Sequence, residues 1–417
     1  MAKIKKIIAR EILDSRGYPT VESIVELSDF AVGVASVPSG LSVSRHEAVE
    51  LRDGDQKRYS GRGVLKCLEN ILTVLAPRLI GKEAGLQKQL DEEMIIADGT
   101  SDKVKLGANS ILSLSCAIVK AHAVSQKIPL YQYIASLAGS NIHQFSIPTP
   151  MFNILNGGKH GGGNIDFQEF MIVPPKANPF STSLRIGVEI YYALKEVIES
   201  RSAVPLVGDE GGYAPLLYAN TDALKLLEDA IARTRYKLGL DVFFSLDIAA
   251  SYIKKGSAYK IKDKPVALDA NDLLDFYITL NEQYHLLSLE DPFSEDDWDH
   301  WKKITAQLGK ETLIVGDDLI STNKDRLQKA IDHKACNTVI IKPNQAGTVT
   351  ETIDTVKTAN SGGIKIVVSH RSGETNDDFI ADFAVGVNAD YVKFGAPARG
   401  ERVAKYNRLL EIEHELS

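Results

Sequence analysis

Three acidic residues each follow a run of apolar residues with the length of a buried strand. Asp247 ends "VFFSLD", Glu290 ends "LLSLE" and Asp317 follows "TLIVG". If these strands are neighbours in one sheet, the three carboxylates meet at the same edge and repel one another unless a cation lies between them. Oxygen ligands without histidine or cysteine are typical of a hard ion, so we expect Mg²⁺. The alternative is that such an acid caps the next helix, which we expect of Asp318.

Basic residues follow the next three apolar runs. Lys342 ends "VIIK", His370 and Arg371 follow "VVS", and Lys393 ends "YVK". A lysine beside a dication should have a lowered pKa, and a neutral lysine can accept a proton as a general base. The guanidinium of Arg371 and the hydroxyl of Ser372 are suited to holding a phosphate. Taken singly, each lysine would be an ordinary solvated charge.

Two further segments carry groups that could act on a substrate. "VGDEGGY" places Glu210 on a turn flanked by glycines, where its carboxyl could act as an acid. The glycine-rich segment "NGGKHGGGN" at residues 156–164 does not continue into the GK[ST] signature of a phosphate-binding loop. We interpret it either as a flexible lid that carries His160 or as a plain loop.

The spacing of the strand-end residues predicts the elements that position them. From Asp247 through Glu290, Asp317, Lys342 and His370 to Lys393 the separations are 43, 27, 25, 28 and 23 residues. The last four suit one strand and one helix each. Amphipathic stretches such as residues 323–333 and 349–360 provide the helices. Repeated βα units predict an α/β fold with a (β/α)8-type barrel, in which functional residues lie where strands end.

The first third of the chain has a different pattern. Residues 1–60 alternate like strands, with a hairpin turn at residues 16–19, and residues 63–137 have helical spacing. Strands followed by helices predict an α+β domain. We therefore divide the chain into an N-terminal α+β domain at residues 1–137, a linker at 138–150 and a C-terminal barrel at 151–417.

The composition argues against several classes of function. A net charge of −7 and a pI of about 5.8, without a basic tract, argue against nucleic acid as a partner. Three widely spaced cysteines suggest neither a disulfide framework nor a zinc site and fit a reducing compartment, so we expect a cytoplasmic protein. The most apolar helical segment, residues 107–125, contains four serines, a lysine and a histidine, so we expect no membrane span.

Motifs along the whole chain resemble those of the enolase family. In order, they are "REILDSRGYPTVE", "HEAVELRDGD", "LGANSILSLS", "FNILNGGKH", "QEFM", "VGDEGGYAP", "LDIAAS", "SLEDPF", "VGDDL", "IIKPNQAG", "SHRSGET" and "RVAKYN". The resemblance implies an enolase-type ββαα(βα)6 barrel with an N-terminal α+β lid domain that carries a mobile catalytic loop. It also implies a lyase that reversibly dehydrates 2-phosphoglycerate to phosphoenolpyruvate in glycolysis and gluconeogenesis.

The resemblance further implies roles for individual residues. The implied ligands for two Mg²⁺ ions, the second arriving with substrate, are Asp247, Glu290, Asp317 and Ser42. The implied catalytic residues are Lys342 as the base, Glu210 assisted by Glu169 as the acid, and His160. The implied substrate-binding residues are Ser42, His160, Gln168, Glu169, Glu290, Asp317, Lys342, His370, Arg371, Ser372 and Lys393. A lysine base combined with Mg²⁺ is the arrangement known for enolase-superfamily sites.

Several positions depart from the family's usual sequence. In the loop at residues 38–47, the substitutions around Ser42 are Leu41, Val43 and Ser44. We predict that they alter loop closure, which would raise KM or change the metal dependence, because a serine in place of glycine restricts the backbone. Tyr252 stands where the family has glutamate, and Phe394 where it has threonine. Phe394 either packs away from the site or reshapes the substrate pocket.

We expect a phosphorylated carboxylate as the small-molecule partner and a homodimer, or a higher oligomer, as the assembly. The alignment sets Glu411 against Glu22 across the dimer, which would place like charges together, and Arg408 would compensate within its own helix. Two other functions stay open. One is an enolase paralogue that acts on a related phospho- or phosphono-carboxylate. The other is a binding protein on the enolase fold, including one displayed on the cell surface.

Overall fold

The structure, a computed structural model, describes residues 2–41, 44–139 and 145–417. The chain begins with a three-stranded antiparallel sheet made of β1 Ile4–Leu13, β2 Pro19–Leu27 and β3 Val32–Ser36. The Asp14 carboxylate accepts hydrogen bonds from the backbone N–H groups of Arg16 and Tyr18, both at 2.9 Å. Gly17 between them adopts a φ of 76°. These contacts form the hairpin turn that the sequence predicted.

Helices follow the sheet, which confirms the predicted α+β character of this region. They are α1 Leu65–Asn70, α2 Ala76–Leu79, α3 Gln87–Asp98, α4 Ala108–Gln126 and α5 Leu130–Leu137, with short 3-10 and π-helical turns at Tyr59–Gly61 and Ile71–Leu75. Helix α4 is buried along most of its length and packs on the sheet. The hydroxyls of Ser113 in α4 and Ser23 in β2 lie 2.7 Å apart across this interface, within hydrogen-bond distance.

The rest of the chain alternates strands and helices. Its strands are β4 Thr149–Pro150, β5 Phe152–Asn156, β6 Glu169–Val173, β7 Phe243–Asp247, β8 Lys254–Lys255, β9 Ala258–Tyr259, β10 Ser288–Glu290, β11 Leu313–Gly316, β12 Thr338–Ile341, β13 Lys365–Ser369 and β14 Tyr391–Lys393. Its helices are α6 Phe180–Ser200, α7 Asn220–Ala232, α8 Ala250–Ile253, α9 Ala270–Tyr284, α10 Trp298–Leu308, α11 Lys324–His333, α12 Pro343–Ala346, α13 Val349–Ser361, α14 Phe379–Gly386 and α15 Gly400–Leu416.

Nine of these strands form one sheet that closes into a barrel. The order is β4-β14-β13-β12-β11-β10-β7-β6-β5. Strands β4 and β5 lie at the two ends of this order, and only Met151 separates them in the chain. They therefore count as one strand position, which gives a barrel of eight. Strand β6 runs antiparallel to both β5 and β7, and two helices follow it before β7. The predicted ββαα(βα)6 barrel is therefore confirmed.

The barrel interior is filled with apolar side chains, so the functional groups lie above it. The interior cluster consists of Met151, Met171, Val173, Leu313, Val315, Ile340, Val367 and Tyr391. The residues at the carboxyl ends of the parallel strands lie at the rim of the barrel, where the active sites of barrel enzymes are found. A second, larger core cluster joins the barrel helices to the N-terminal sheet and α4.

The boundary between the two parts of the chain falls near the predicted linker. Helix α5 ends at Leu137, and Thr149 and Pro150, which we assigned to the linker, form β4 of the barrel sheet. Residues 140–144 of the linker lie outside the described ranges. The domain limits at 137, 138–150 and 151 therefore stay a prediction. Among the helices that the structure describes, none is both long enough and apolar enough to cross a membrane.

Candidate active site

The strand register brings four carboxylates to one end of the barrel. Glu169 lies opposite Asp247, and Asp247 lies opposite Glu290, in three neighbouring strands. Glu169 is the first residue of β6, and since β6 runs the other way it reaches the same end as the last residues of β7 and β10. Asp317 directly follows β11, the next strand in the sheet. The convergence predicted for Asp247, Glu290 and Asp317 is therefore present.

Lys393 lies among these carboxylates. Its Nζ atom is 2.8 Å from Glu290 Oε1, 3.2 Å from Glu169 Oε2 and 3.6 Å from Asp247 Oδ2. Gln168 donates a hydrogen bond to Asp247 at 3.1 Å. Burial opposes the charge on Lys393, but the surrounding carboxylates prevail and raise its pKa well above the ordinary value. Burial, with the charges of Asp247 and Asp317, also raises the pKa of Glu290 well above its usual range, although Lys393 opposes this.

Lys342 is placed beside the last of these acids. Its Nζ donates to Asp317 Oδ2 at 2.5 Å. Burial would lower the pKa of Lys342, but the Asp317 carboxylate outweighs it and raises the pKa. The adjacent carboxylates raise the pKa values of both Lys342 and Lys393. The lowered pKa that we predicted applies to a lysine beside a bound dication and stays a prediction.

The donor set suits a hard cation. Among the described residues, two groups have ligand atoms that all lie within 4.8 Å of one another: His160, Glu169 and Glu210, and Asp291, Asp317 and Asp318. The predicted set of Asp247, Glu290 and Asp317 is not one of these groups, and the Lys393 ammonium lies 3.6 Å from Asp247 and 2.8 Å from Glu290. The set nevertheless consists of largely buried carboxylate oxygens, and the charges of Asp247 and Asp317 add to burial in raising the pKa of Glu290. These residues therefore fit Mg²⁺.

The turn after β11 corrects one prediction. Asp318 does not cap the following helix, because α11 has Asn323 as its N-cap residue. Asp291 instead accepts hydrogen bonds from the backbone N–H groups of Asp317 and Asp318, at 2.9 and 2.8 Å. This contact fixes the turn on which Asp317 lies. Burial and the charge of Asp317 raise the pKa of Asp318 to about 8.

A second pair of carboxylates flanks the imidazole of His160. Its Nδ1 atom is 3.3 Å from Glu169 Oε1 and 3.4 Å from Glu210 Oε1. Burial and the charge of Glu210 raise the pKa of Glu169. Burial acts on Glu210 too, but His160 and His370 outweigh it, so the pKa of Glu210 lies well below its usual value. Two adjacent carboxyls with pKa values driven apart can share one proton, as an acid catalyst requires.

Residues of the N-terminal domain contact Arg371 and Ser372, which we call the candidate phosphate grip. Arg371 is buried and donates to Glu47 at 2.8 Å and to Asn344 at 3.1 Å. The Ser372 hydroxyl accepts a hydrogen bond from the backbone N–H of Leu41 at 3.0 Å. Sequence reasoning gave Glu47 no role, although it lies in the quoted motif "HEAVELRDGD". It was missed because its contact with Arg371 joins residues that are 324 positions apart.

Arg402 is a second residue that the sequence analysis missed. It is 0% exposed and donates to the carbonyl oxygens of Arg371 and Ser372 at 2.6 Å. It also donates to His370 Nδ1 at 2.6 Å. Because Nδ1 accepts, the proton of the imidazole is on Nε2, which lies 3.1 Å from Glu210 Oε2. Burial lowers the pKa of His370 to about 4.

One polar cavity collects most of the predicted site residues. It is lined by His160, Gln168, Glu169, Glu210, Asp247, Ala249, Tyr252, Asp291, Asp317, Asp318, Lys342, Ser369, His370, Arg371, Ser372 and Lys393. Glu290 is buried beside Lys393, and Ser42 lies outside the part of the chain that the structure describes.

Of the positions that depart from the usual sequence, Tyr252 lines the cavity and Phe394 does not reach it. The ammonium of Lys159, on the glycine-rich segment, lies 3.6 Å from the centre of the Tyr252 ring. Phe394 is fully buried and packs against Tyr406, with 5.9 Å between the ring centres. Of the two alternatives for Phe394, the structure supports packing away from the site.

Comparison with protein families agrees with this geometry over nearly the whole chain. Residues 4–134 match the family model described as the enolase N-terminal domain, and residues 144–417 match the one described as the enolase C-terminal TIM barrel domain. Enolases are lyase-type enzymes of the enolase superfamily that act on a small-molecule substrate and typically use Mg²⁺. The chain therefore belongs to the enolase family.

Proposed function

We propose that this chain catalyses the Mg²⁺-dependent, reversible dehydration of 2-phosphoglycerate to phosphoenolpyruvate, as a cytoplasmic enzyme of glycolysis and gluconeogenesis. The observation that carries the proposal is the position of the base relative to the acid. Lys342 follows β12 and Glu169 begins β6, and these strands are four positions apart in a barrel of eight. A substrate between them would be approached by a base on one side and by a proton donor on the other.

The side chains divide the reaction between them. Lys342 Nζ removes the proton from the carbon next to the substrate carboxylate, and the electrons of that C–H bond form the new C=C bond. The hydroxyl on the adjacent carbon leaves as water, taking a proton from the carboxyl pair of Glu210 and Glu169. His160 lies within 3.4 Å of both acids and orients them. In the reverse direction each proton moves back to the same atom.

The other residues of the cavity bind the substrate. Arg371 and Ser372 hold its phosphate, and Lys393 lies beside its carboxylate, with Gln168 and His370 completing the walls. Asp247, Glu290 and Asp317 hold Mg²⁺, which when bound supplies the positive charge that makes the proton next to a carboxylate acidic enough to remove. Ser42 is the proposed ligand of a second Mg²⁺ that arrives with substrate.

The test is an assay of the purified protein with 2-phosphoglycerate, following the ultraviolet absorbance of the enol product with and without Mg²⁺. We expect turnover that requires Mg²⁺ and that falls by at least about 10³-fold in Lys342→Ala, since the base is lost. Lys302→Ala on the outer helix α10 is the matched control and should retain full activity. Activity in Lys342→Ala close to that of the wild type would contradict the assignment of the base.

A specific observation favours a second candidate, a related enzyme acting on a phosphono-carboxylate or another phospho-carboxylate. Tyr252, which replaces the family's usual glutamate, lines the cavity and is covered by Lys159. An aromatic ring in place of a carboxylate changes both the size and the charge of that wall. Folded protein that binds Mg²⁺ but does not turn over 2-phosphoglycerate would favour this candidate, and phosphonate analogues would then be assayed.

A further inference from the structure

Ser44 and Arg45 of the N-terminal domain form hydrogen bonds with the barrel outside the cavity. The Ser44 hydroxyl donates to Glu295 Oε2 at 2.9 Å, and Arg45 Nε donates to Glu295 Oε1 at 2.8 Å. The Arg45 guanidinium also contacts Asp296. Ser44 and Glu295 are only 6% and 8% exposed, so their hydrogen bond is shielded from water. One carboxylate after β10 thus binds two consecutive residues that are about 250 positions earlier in the chain.

This contact continues to the candidate phosphate grip. The backbone N–H of Ser44 donates to Glu47 Oε1 at 3.1 Å, and Glu47 Oε2 accepts from Arg371 at 2.8 Å. Gln345 also donates to Glu47, at 3.2 Å. The side chains of Arg371 and Glu47 are 3% and 4% exposed, so the ion pair is buried. A chain of three hydrogen bonds therefore runs from Glu295 through Ser44 and Glu47 to Arg371.

Ser39 and Leu41, which precede Ser44 in the chain, contact the two residues that follow Arg371. Ser39 and Gly373 exchange two backbone hydrogen bonds, at 2.7 and 3.0 Å. A Cβ atom on Gly373 would lie 2.3 Å from Ser39 Oγ, so this close approach requires glycine. Leu41 donates to the Ser372 hydroxyl. Contacts from this N-terminal segment thus reach Arg371, Ser372 and Gly373 in turn.

We propose that Ser44, Arg45 and Glu295 are positioning residues that hold Glu47, and through it Arg371, in place before a phosphorylated substrate binds. A guanidinium held in one orientation loses little conformational freedom when it takes a phosphate, which makes binding tighter. The effect is on binding rather than on the chemical step, since none of the three residues lines the cavity around Lys342. The expected change in KM rests on the proposed function.

The test compares Glu295→Ala and Ser44→Ala with a matched surface variant. Amide hydrogen exchange is measured over residues 44–50, and kcat and KM are measured with 2-phosphoglycerate. We expect exchange in both variants to be at least about threefold faster than in the wild type. We expect KM to rise roughly three- to tenfold, the size of one lost hydrogen bond, with kcat within about twofold. Glu93→Gln, which breaks the exposed pair of Glu93 with Lys82, should change neither quantity.

A conservative variant separates this role from general destabilisation. Glu295→Gln keeps an oxygen that can accept from Ser44 but loses the charge that attracts Arg45, so its KM should lie between those of the wild type and Glu295→Ala. Wild-type exchange over residues 44–50 in both alanine variants would overturn the proposal, as would a fall in kcat at constant KM. If the protein does not turn over 2-phosphoglycerate, inorganic phosphate becomes the probe. Its Kd should then rise in Glu295→Ala, and an unchanged Kd would overturn the proposal.

Discussion

At the scale of single residues, Arg402 does the most to shape the candidate phosphate grip. One guanidinium donates to the carbonyl oxygens of Arg371, Ser372 and Asp209 and to the ring of His370. Five N–H donors in a planar fork can serve several acceptors at once. Arg402 thereby sets the backbone of the grip and, through His370, the tautomer of a ring that faces Glu210.

Arg402→Met should therefore destabilise the fold. The change leaves three carbonyl oxygens without their donor in a buried region, so we expect a loss of about 3 kcal/mol or more in the free energy of unfolding. Arg402→Lys should recover part of it, because an ammonium keeps the charge but cannot reach every acceptor. The measurement is the urea midpoint of each variant. Arg233→Met, which removes an exposed hydrogen bond to Ser200, should stay within about 0.5 kcal/mol of the wild type.

Several of the site residues that the sequence predicted share one property, which is their place at a strand end. Asp247, Glu290 and Lys342 could be expected together because parallel strands end at the same side of a barrel. Arg402 and Glu47 could not be placed in this way. Their contacts cross 31 and 324 positions and depend on how a helix and an N-terminal segment pack, which no local pattern encodes.

At the scale of elements, α3 of the N-terminal domain supports the start of α13 on the barrel. Asp91 of α3 accepts hydrogen bonds from the backbone N–H of Thr350 at 3.1 Å and from its hydroxyl at 2.6 Å. Thr350 belongs to the first turn of α13, where N–H groups have no acceptor within the helix. Gln87 donates to the other Asp91 oxygen at 2.9 Å. A carboxylate from one domain thus completes a helix of the other.

Burial of Asp91 gives this contact a pH dependence. Burial raises the pKa of Asp91 to about 6, above the ordinary 3.8, so the folded protein binds this proton more tightly than the unfolded chain. Proton binding to Asp91 therefore stabilises the folded protein fully below about pH 4, and this contribution is lost as the pH rises through 6. The shift of about two pKa units corresponds to about 3 kcal/mol.

Asp91→Asn should remove this contribution. We expect the difference in unfolding free energy between variant and wild type to shift in favour of the variant between about pH 4 and pH 6 and to level off above that. The side-chain oxygen of the new asparagine can still accept hydrogen bonds from Thr350. Its NH₂ group can donate to Gln87 Oε1 once the Gln87 side chain rotates. That oxygen has no hydrogen-bond donor within the described residues. The measurement is urea unfolding at a series of pH values. A constant difference across the range would contradict the raised pKa.

The barrel was predictable as a set of elements, but its irregularities were not. Strand-to-strand spacings of 23–28 residues indicate βα units whichever residues fill them. The reversed direction of β6 and the interruption of the first barrel strand at Met151 have no such signal. Strand β4 has two residues, too few to show any periodicity, so it was assigned to the linker.

At the scale of the whole molecule, Glu22 and Glu411, which the alignment sets against each other across the dimer, are each paired within one chain. Arg10 contacts Glu22 in the β1–β2 hairpin. Arg408 binds Glu411 at 3.1 Å, as the sequence predicted, and also contacts Glu415 and Asp382. Each exposed pair would contribute only about 0–1 kcal/mol to association. We therefore expect a dimer of this chain to depend mainly on apolar surface.

Such a surface is present between α6 and α7, and we expect two copies to meet there as well as at the contact that the alignment sets between Glu22 and Glu411. Leu206, Leu216 and Tyr218 are 64%, 88% and 91% exposed, and Leu206 accepts a backbone hydrogen bond from residue 214, which brings the two stretches together. Large apolar side chains grouped in this way are typical of interfaces. We predict a dimer at micromolar concentration in sedimentation velocity. A stable monomer or octamer would contradict this.

The location of the interface can be tested separately from the assembly itself. Combining Leu216→Glu with Tyr218→Glu places two charges at the proposed contact, and burying them unpaired costs far more than an exposed ion pair returns. We therefore expect this variant to sediment as a folded monomer. Val266→Glu, an equally exposed apolar position on another loop at 73%, should remain dimeric. If both variants stayed dimeric, the interface would lie elsewhere, and the exposed side chains between α6 and α7 would need another explanation.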